Sequence, residues 1–238
     1  MKTTARLAAT LLLALSAAAV AEPLTFGWLE SWSARRDKFE KHFVIGDALQ
    51  RFEVGKKQLV LPAGKWVISE VETYAPEITE VGGSDSVGTT VDGSLWLQDT
   101  ESGDEVYVQT LLSTPSNRVW LSGLSAACGG KEDQEQDKET VYLQQLDSVK
   151  SDRQSCVRLT GRQIKDKDSG QPVLMLFTHV MESRDGDYVR YTQSHVVALK
   201  PGQGTELADL DKATRAYLAA QLRWGVQTKA DIARQMGW

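Results

Sequence analysis

Two β-rich runs, Pro172 to Met181 and Tyr188 to Leu199, joined through Arg184-Asp185-Gly186-Asp187, constrain the fold more than any other stretch of this sequence. Asp-Gly between runs of β-branched, aromatic and aliphatic residues favours a two-residue type I′ turn, whose twist matches the strands it joins. With Asp185 and Gly186 in the turn, Arg184 pairs with Asp187, and the register carries His179 opposite Thr192 and His195 opposite Leu176. Side chains alternate across a strand, so His179 and His195 fall on opposite faces, whereas His179 and Ser194 share one face on a diagonal.

The same two-residue period recurs upstream. Lys57 to Leu61 and Lys65 to Tyr74 flank Pro62-Ala63-Gly64 and predict a hairpin; Ser94 to Asp99 and Glu105 to Leu112 flank a turn containing Gly103 and predict another. Further strand-like runs lie at Val87 to Val91, Arg118 to Leu121, Thr140 to Leu146 and Cys156 to Gln163. Between the cysteines, seven of the nine residues from Lys131 to Glu139 are charged, the composition of a solvated loop.

Helical spacing appears at both ends of this β-rich region. Leu29, Trp32, Phe39 and Phe43 fall on one side of a helix through Ser33 to Lys41, within a leader over residues 22–50; the same aromatics also suit an irregular leader draped over the core. Leu207, Leu210, Tyr217, Leu218 and Leu222 predict a helix at about 206–224, with Thr205 as N-cap and Gly225 as its end. Thr228 and Asp231 would cap a second helix at about 229–236. The fold class expected is mainly β, a β-sandwich or partly open barrel of about eight or nine antiparallel strands, with a C-terminal α-helical segment on one face or edge. Residues 51–238 read as a single domain, since no linker-like composition divides them. A helical finish argues against a transmembrane barrel, which needs alternating strands to its end.

The first twenty-one residues carry an address. Lys2 and Arg6 precede the apolar run Leu7 to Val20, and Ala19-Val20-Ala21 fits the small-x-small cleavage rule, so the mature chain is expected to start at Glu22 and to be periplasmic or secreted. No second apolar stretch of about 20 residues follows, so membrane insertion of the mature chain is not expected. In an exported chain, two cysteines, Cys128 and Cys156, predict a disulfide. Removing Lys2 and Arg6 leaves 25 basic residues against 32 acidic ones, and a net charge of −7 without a basic stripe argues against a nucleic-acid partner.

Reactive motifs are scarce. His42, His179 and His195 form no metal-ligand spacing, and neither a calcium loop nor a dinucleotide or P-loop fingerprint is present, so no metal or cofactor is expected. Nucleophilic hydrolysis needs a serine or cysteine against a base; the one candidate pair is His179 with Ser194, and neither a Gly-x-Ser-x-Gly elbow nor a Ser-x-x-Lys motif supports it. Thr228 to Trp238 resembles the first helix and turn of bacterial helix-turn-helix DNA-binding domains over eleven residues, and no recognition helix follows. The expectation is therefore a non-enzymatic envelope protein that binds a small molecule or another envelope protein through its sheet or a helix-covered cleft. The alternative is a secreted hydrolase whose site assembles from distant residues, with His179 and Ser194 as first suspects.

Overall fold

The computed structural model describes residues 23–74, 91–112, 128, 139–150, 153–167, 169–184, 186–200 and 202–237. The expected signal segment, the run Arg118 to Leu121, most of Val87 to Val91 and most of Lys131 to Glu139 lie outside the described residues. In chain order the elements are α1 (Trp32–His42), β1 (Arg51–Val54), β2 (Lys57–Val60), β3 (Trp66–Tyr74), β4 (Asp92–Asp99), β5 (Glu105–Leu111), β6 (Thr140–Lys150), β7 (Arg153–Lys165), β8 (Pro172–Arg184), β9 (Asp187–Ala198) and α2 (Lys212–Met236).

The central hairpin has the register its turn dictates: Arg184 pairs with Asp187, His179 with Thr192 and Leu176 with His195. Gly186 takes a left-handed φ of 88°, which the turn requires and which glycine adopts without cost. Around this hairpin grows one antiparallel seven-stranded sheet, ordered β3-β4-β5-β9-β8-β7-β6, while β1 and β2 form a separate two-stranded sheet. The protein is thus mostly β, as expected, and the large sheet does not close into a barrel.

Three local expectations are corrected. Lys57 to Leu61 does not pair with Lys65 to Tyr74: β2 folds back on β1 through Gly55 and Lys56, and β3 pairs with β4. The segment between them bonds elsewhere. Leu61 N–H donates to the Gln50 carbonyl at 3.0 Å, Lys65 N–H to Asp99 Oδ1 at 3.0 Å, and Trp66 Nε1 to the Pro62 carbonyl at 2.8 Å. Proline, lacking an N–H, has no ladder bond to give, and the chain crosses to the large sheet instead.

The C-terminal helix is also different. The two helices foreseen at 206–224 and 229–236 are one helix of 25 residues, and it begins six residues later, with Asp211 rather than Thr205 as the N-cap accepting from Thr214 N–H at 2.7 Å. Gly225 does not end it. A Cβ there would lie 2.7 Å from Val157 Cγ1, so this glycine serves the close approach of helix to sheet, and Gly237, at φ 74°, is the true left-handed cap.

The helix foreseen in the leader exists as α1, capped by Ser31, but its buried face is not the one foreseen. Phe39 and Phe43 are buried, whereas Leu29 and Trp32 are exposed and Arg35 is turned inward. The Arg35 guanidinium donates to the carbonyls of Gly27, Glu30 and Leu112, which neutral packing of that helix face would have left to water.

All the described helices cover one face of the large sheet. Leu95, Val108, Tyr191, Val180, Val157 and Leu159 line this inner face and are fully buried. Burying each such side chain contributes roughly 1.5–3 kcal/mol. α2 lies across β7 and β8, with Trp224 against Tyr191 at 4.7 Å, and Phe39 of α1 packs where Gly93 leaves room. The Cys128–Cys156 disulfide forms as expected and sits on the opposite, outer face with Leu111, Met181 and Tyr188.

Candidate functional site

Side-chain alternation turns the strand register into a map of that outer face. One row runs from Tyr74 on β3 through Asp92 on β4 and Leu111 on β5 to Tyr188 on β9. The next row holds Ser94, Gln109, Arg190, Met181 and Cys156. A third holds Trp96, Tyr107, Thr192, His179 and Arg158. A face turned away from every described helix would ordinarily be solvated. Here Asp92, Ser94, Gln109 and Tyr188 are all buried.

Four polar atoms in this patch make no hydrogen bond of normal geometry: Asp92 Oδ1, Ser94 Oγ, Tyr188 Oη and Arg190 Nε. Their nearest partners are one another and their neighbours: Tyr188 engages the side chains of Asp92 and Gln109, and Tyr107 those of Ser94 and Tyr74. Burial raises the pKa of Asp92 from 3.8 to about 6, against the opposing pull of Tyr188 and Lys57. Tyr188 and Tyr107 are raised by burial as well. Native proteins bond nearly all their buried polar groups, so imperfectly bonded polar atoms gathered on neighbouring strands set this face apart.

Lys57 closes one side of the patch. It is buried, its ammonium donates to Asp187 Oδ1 at 2.7 Å and to the Leu111 carbonyl, and burial lowers its pKa against the attraction of Asp187 and Asp92. Trp96 and Tyr107 rings meet at 4.6 Å, and with Trp96 and Tyr74 at 38% and 39% exposure they form the accessible rim.

The two suspects named from sequence lie on this face, as the register requires, with Ser194 opposite Phe177. The histidine is engaged elsewhere. His179 Nδ1 is 3.2 Å from Thr192 Oγ1 and Nε2 is 3.4 Å from Thr160 Oγ1, while the ring stacks over Phe177 at 5.9 Å. Burial, then the charges of Arg190 and Arg158, pull its pKa down to about 3, which makes it a poor proton acceptor at neutral pH.

Sequence reasoning missed a second histidine arrangement, on the inner face. Asp104 Oδ1 lies 2.8 Å from His195 Nδ1, Asp104 Oδ2 accepts from Gln193 Nε2 at 3.1 Å, and Gln193 Oε1 accepts from Tyr191 Oη at 2.8 Å. The His195 ring stacks on Tyr217 of α2 at 4.4 Å. The hairpin register already aligned Tyr191, Gln193 and His195 on one face; what it lacked was that β5 lies beside β9, which brings Asp104 to them. Asp104 orients the His195 ring and Tyr217 stacks on it, and neither is a serine or cysteine nucleophile.

Among the described residues no group of three or more His, Cys, Asp and Glu could hold a metal ion, and no helix is long and apolar enough to cross a membrane. Compared with protein-family models, curated proteins and solved structures, the chain matches none.

Proposed function

We propose that the chain is an exported, non-enzymatic binding module that takes its ligand or partner on the outer face of the large sheet. The observation that carries this reading is the set of buried polar atoms on Asp92, Ser94, Tyr188 and Arg190 that make no hydrogen bond of normal geometry. A buried polar atom short of a well-formed bond costs up to roughly 1–3 kcal/mol of desolvation, and sites kept for binding are where proteins retain such costs. Export rests on the first twenty-one residues and is supported by the disulfide, which belongs to oxidising compartments. A hydrolase would draw on Asp104 and His195, which have the orienting half of a catalytic triad, and would need a nucleophile beside them.

Ser94→Ala tests the reading at its most buried member. Deleting a hydroxyl that makes no hydrogen bond of normal geometry is expected to leave stability in urea unchanged or to raise it by about 0.5–1 kcal/mol. A loss of about 1 kcal/mol or more would show that Ser94 is there to hold the fold, and the binding reading would fall.

A further inference from the structure

Tight turns ordinarily centre on glycine, proline, asparagine, aspartate or serine. Gly27 to Glu30 forms such a turn, closed by Glu30 N–H donating to the Gly27 carbonyl at 3.2 Å, yet its two central residues are Trp28 and Leu29. They are 85% and 87% exposed, the two most exposed large apolar side chains among the described residues. Trp32 follows as the first residue of α1 at 51% exposure, with the Arg36 guanidinium 5.6 Å from its ring centre. A single exposed apolar residue is ordinary, but three within five residues at one turn make a patch.

The turn is also held from behind. Arg35, itself buried, donates from Nη2 to the Gly27 carbonyl at 3.0 Å and from Nε to the Glu30 carbonyl at 3.2 Å, the two ends of the turn. Its Nη1 donates to the Leu112 carbonyl at 2.7 Å, just past β5, and Lys38 pairs with the Glu30 carboxylate. One buried guanidinium thus ties both ends of the turn to the large sheet, and Trp28 and Leu29 are presented outward instead of folding back on the core. An apolar tip fixed in this way loses little conformational freedom on docking.

Size and shape decide what the tip enters. Two tryptophans and a leucine at these exposures offer on the order of 500 Å², short of the ~800 Å² per partner that a stable protein interface buries. A bilayer sets no such threshold, because it takes up apolar side chains one by one, and a protruding tip needs no matching pocket in it. Tryptophan favours the headgroup boundary, where its ring is in apolar surroundings and its N–H is wet. Glu30, the acid beside the tip, is paired with Lys38, and α1 carries Arg35, Arg36, Lys38 and Lys41 against Asp37 and Glu40. This end of an acidic chain therefore does not repel a phospholipid surface. We infer that the Trp28-Leu29 turn, with Trp32, is a peripheral docking tip that rests the protein on a phospholipid bilayer without spanning it. The tip adjoins α1, on the helix-covered side of the sheet, so it stands or falls apart from the binding reading of the outer face.

The test is co-sedimentation of the oxidised chain from Glu22, free of the apolar run Leu7 to Val20, with vesicles of phosphatidylethanolamine and phosphatidylglycerol, beside gel filtration without lipid. The wild type is expected to partition onto the vesicles. Trp28→Ser combined with Leu29→Ser is expected to weaken that partition by ~10-fold or more, with an unchanged urea midpoint because both side chains are exposed. No partition overturns the docking tip, as does partition that the double variant leaves unchanged. A lowered urea midpoint would show the pair packed into the fold and overturns it too. A dimer in gel filtration that the double variant dissolves, without partition of the wild type, would assign the tip to a second copy of the chain instead.

Discussion

Acid is expected to destabilise the protein through His179. Its folded pKa is about 3 against an ordinary 6.5, so between those values the unfolded chain binds a proton that the folded chain refuses. The stability this provides is fully present above pH 6.5 and is lost as pH falls toward 3. A shift of that size is on the order of 5 kcal/mol. His179→Gln keeps a polar group between Thr160 and Thr192 and removes the titration. The variant is expected to be less stable than the wild type at pH 7.5 and to lose that disadvantage, or reverse it, at pH 4. Urea curves that stay parallel at the two pH values would mean that His179 is not held neutral by its surroundings.

Asp92 carries the opposite sign. Burial raises its pKa from 3.8 to about 6, so the folded chain binds the extra proton and stability falls as pH rises between those values. About two pKa units correspond to roughly 3 kcal/mol, lost above pH 6. Asp92→Asn is isosteric and cannot ionise. It is expected to be more stable than the wild type by up to about 3 kcal/mol at pH 7.5 and equal to it at pH 3.5. Part of that gain is offset because Lys57 loses a nearby negative charge. A variant less stable than the wild type at pH 7.5 would show that the Asp92 carboxylate is paired and structural. The two titrations overlap and oppose each other, so the wild-type pH curve alone would show neither; the two variants separate them.

What could be read from the sequence was whatever local chemistry decides. Asp185-Gly186 sets a turn, the turn sets a register, and the register correctly separated His179 from His195 and placed Ser194 opposite Phe177. The disulfide followed from an even cysteine count in a chain expected to be exported. Local rules failed where a distant partner outweighed them. Gly225 looks like a helix end until Val157 arrives at its Cα, and Leu29 and Trp32 look like core until Arg35 takes the inward face by bonding three carbonyls. The candidate site was illegible for the same reason. Asp92 and Ser94, Gln109, and Tyr188 and Arg190 come from three strands, and their meeting depends on β5 lying beside β9, a pairing of strands about eighty residues apart in the chain that no short-range signal specifies. Nor does any residue type announce itself as unbonded; that is a property of the assembled face.

The most direct measurement is a native mass spectrum of the protein purified from the exported fraction, recorded again after denaturation without reductant and repeated on Arg190→Gln. The expected result is a chain starting at Glu22 and two hydrogens lighter than its reduced mass, carrying an added mass that denaturation releases and that Arg190→Gln lacks. A bare chain in both proteins, or one that still begins at Met1 in the cytoplasm, would contradict an exported binding module.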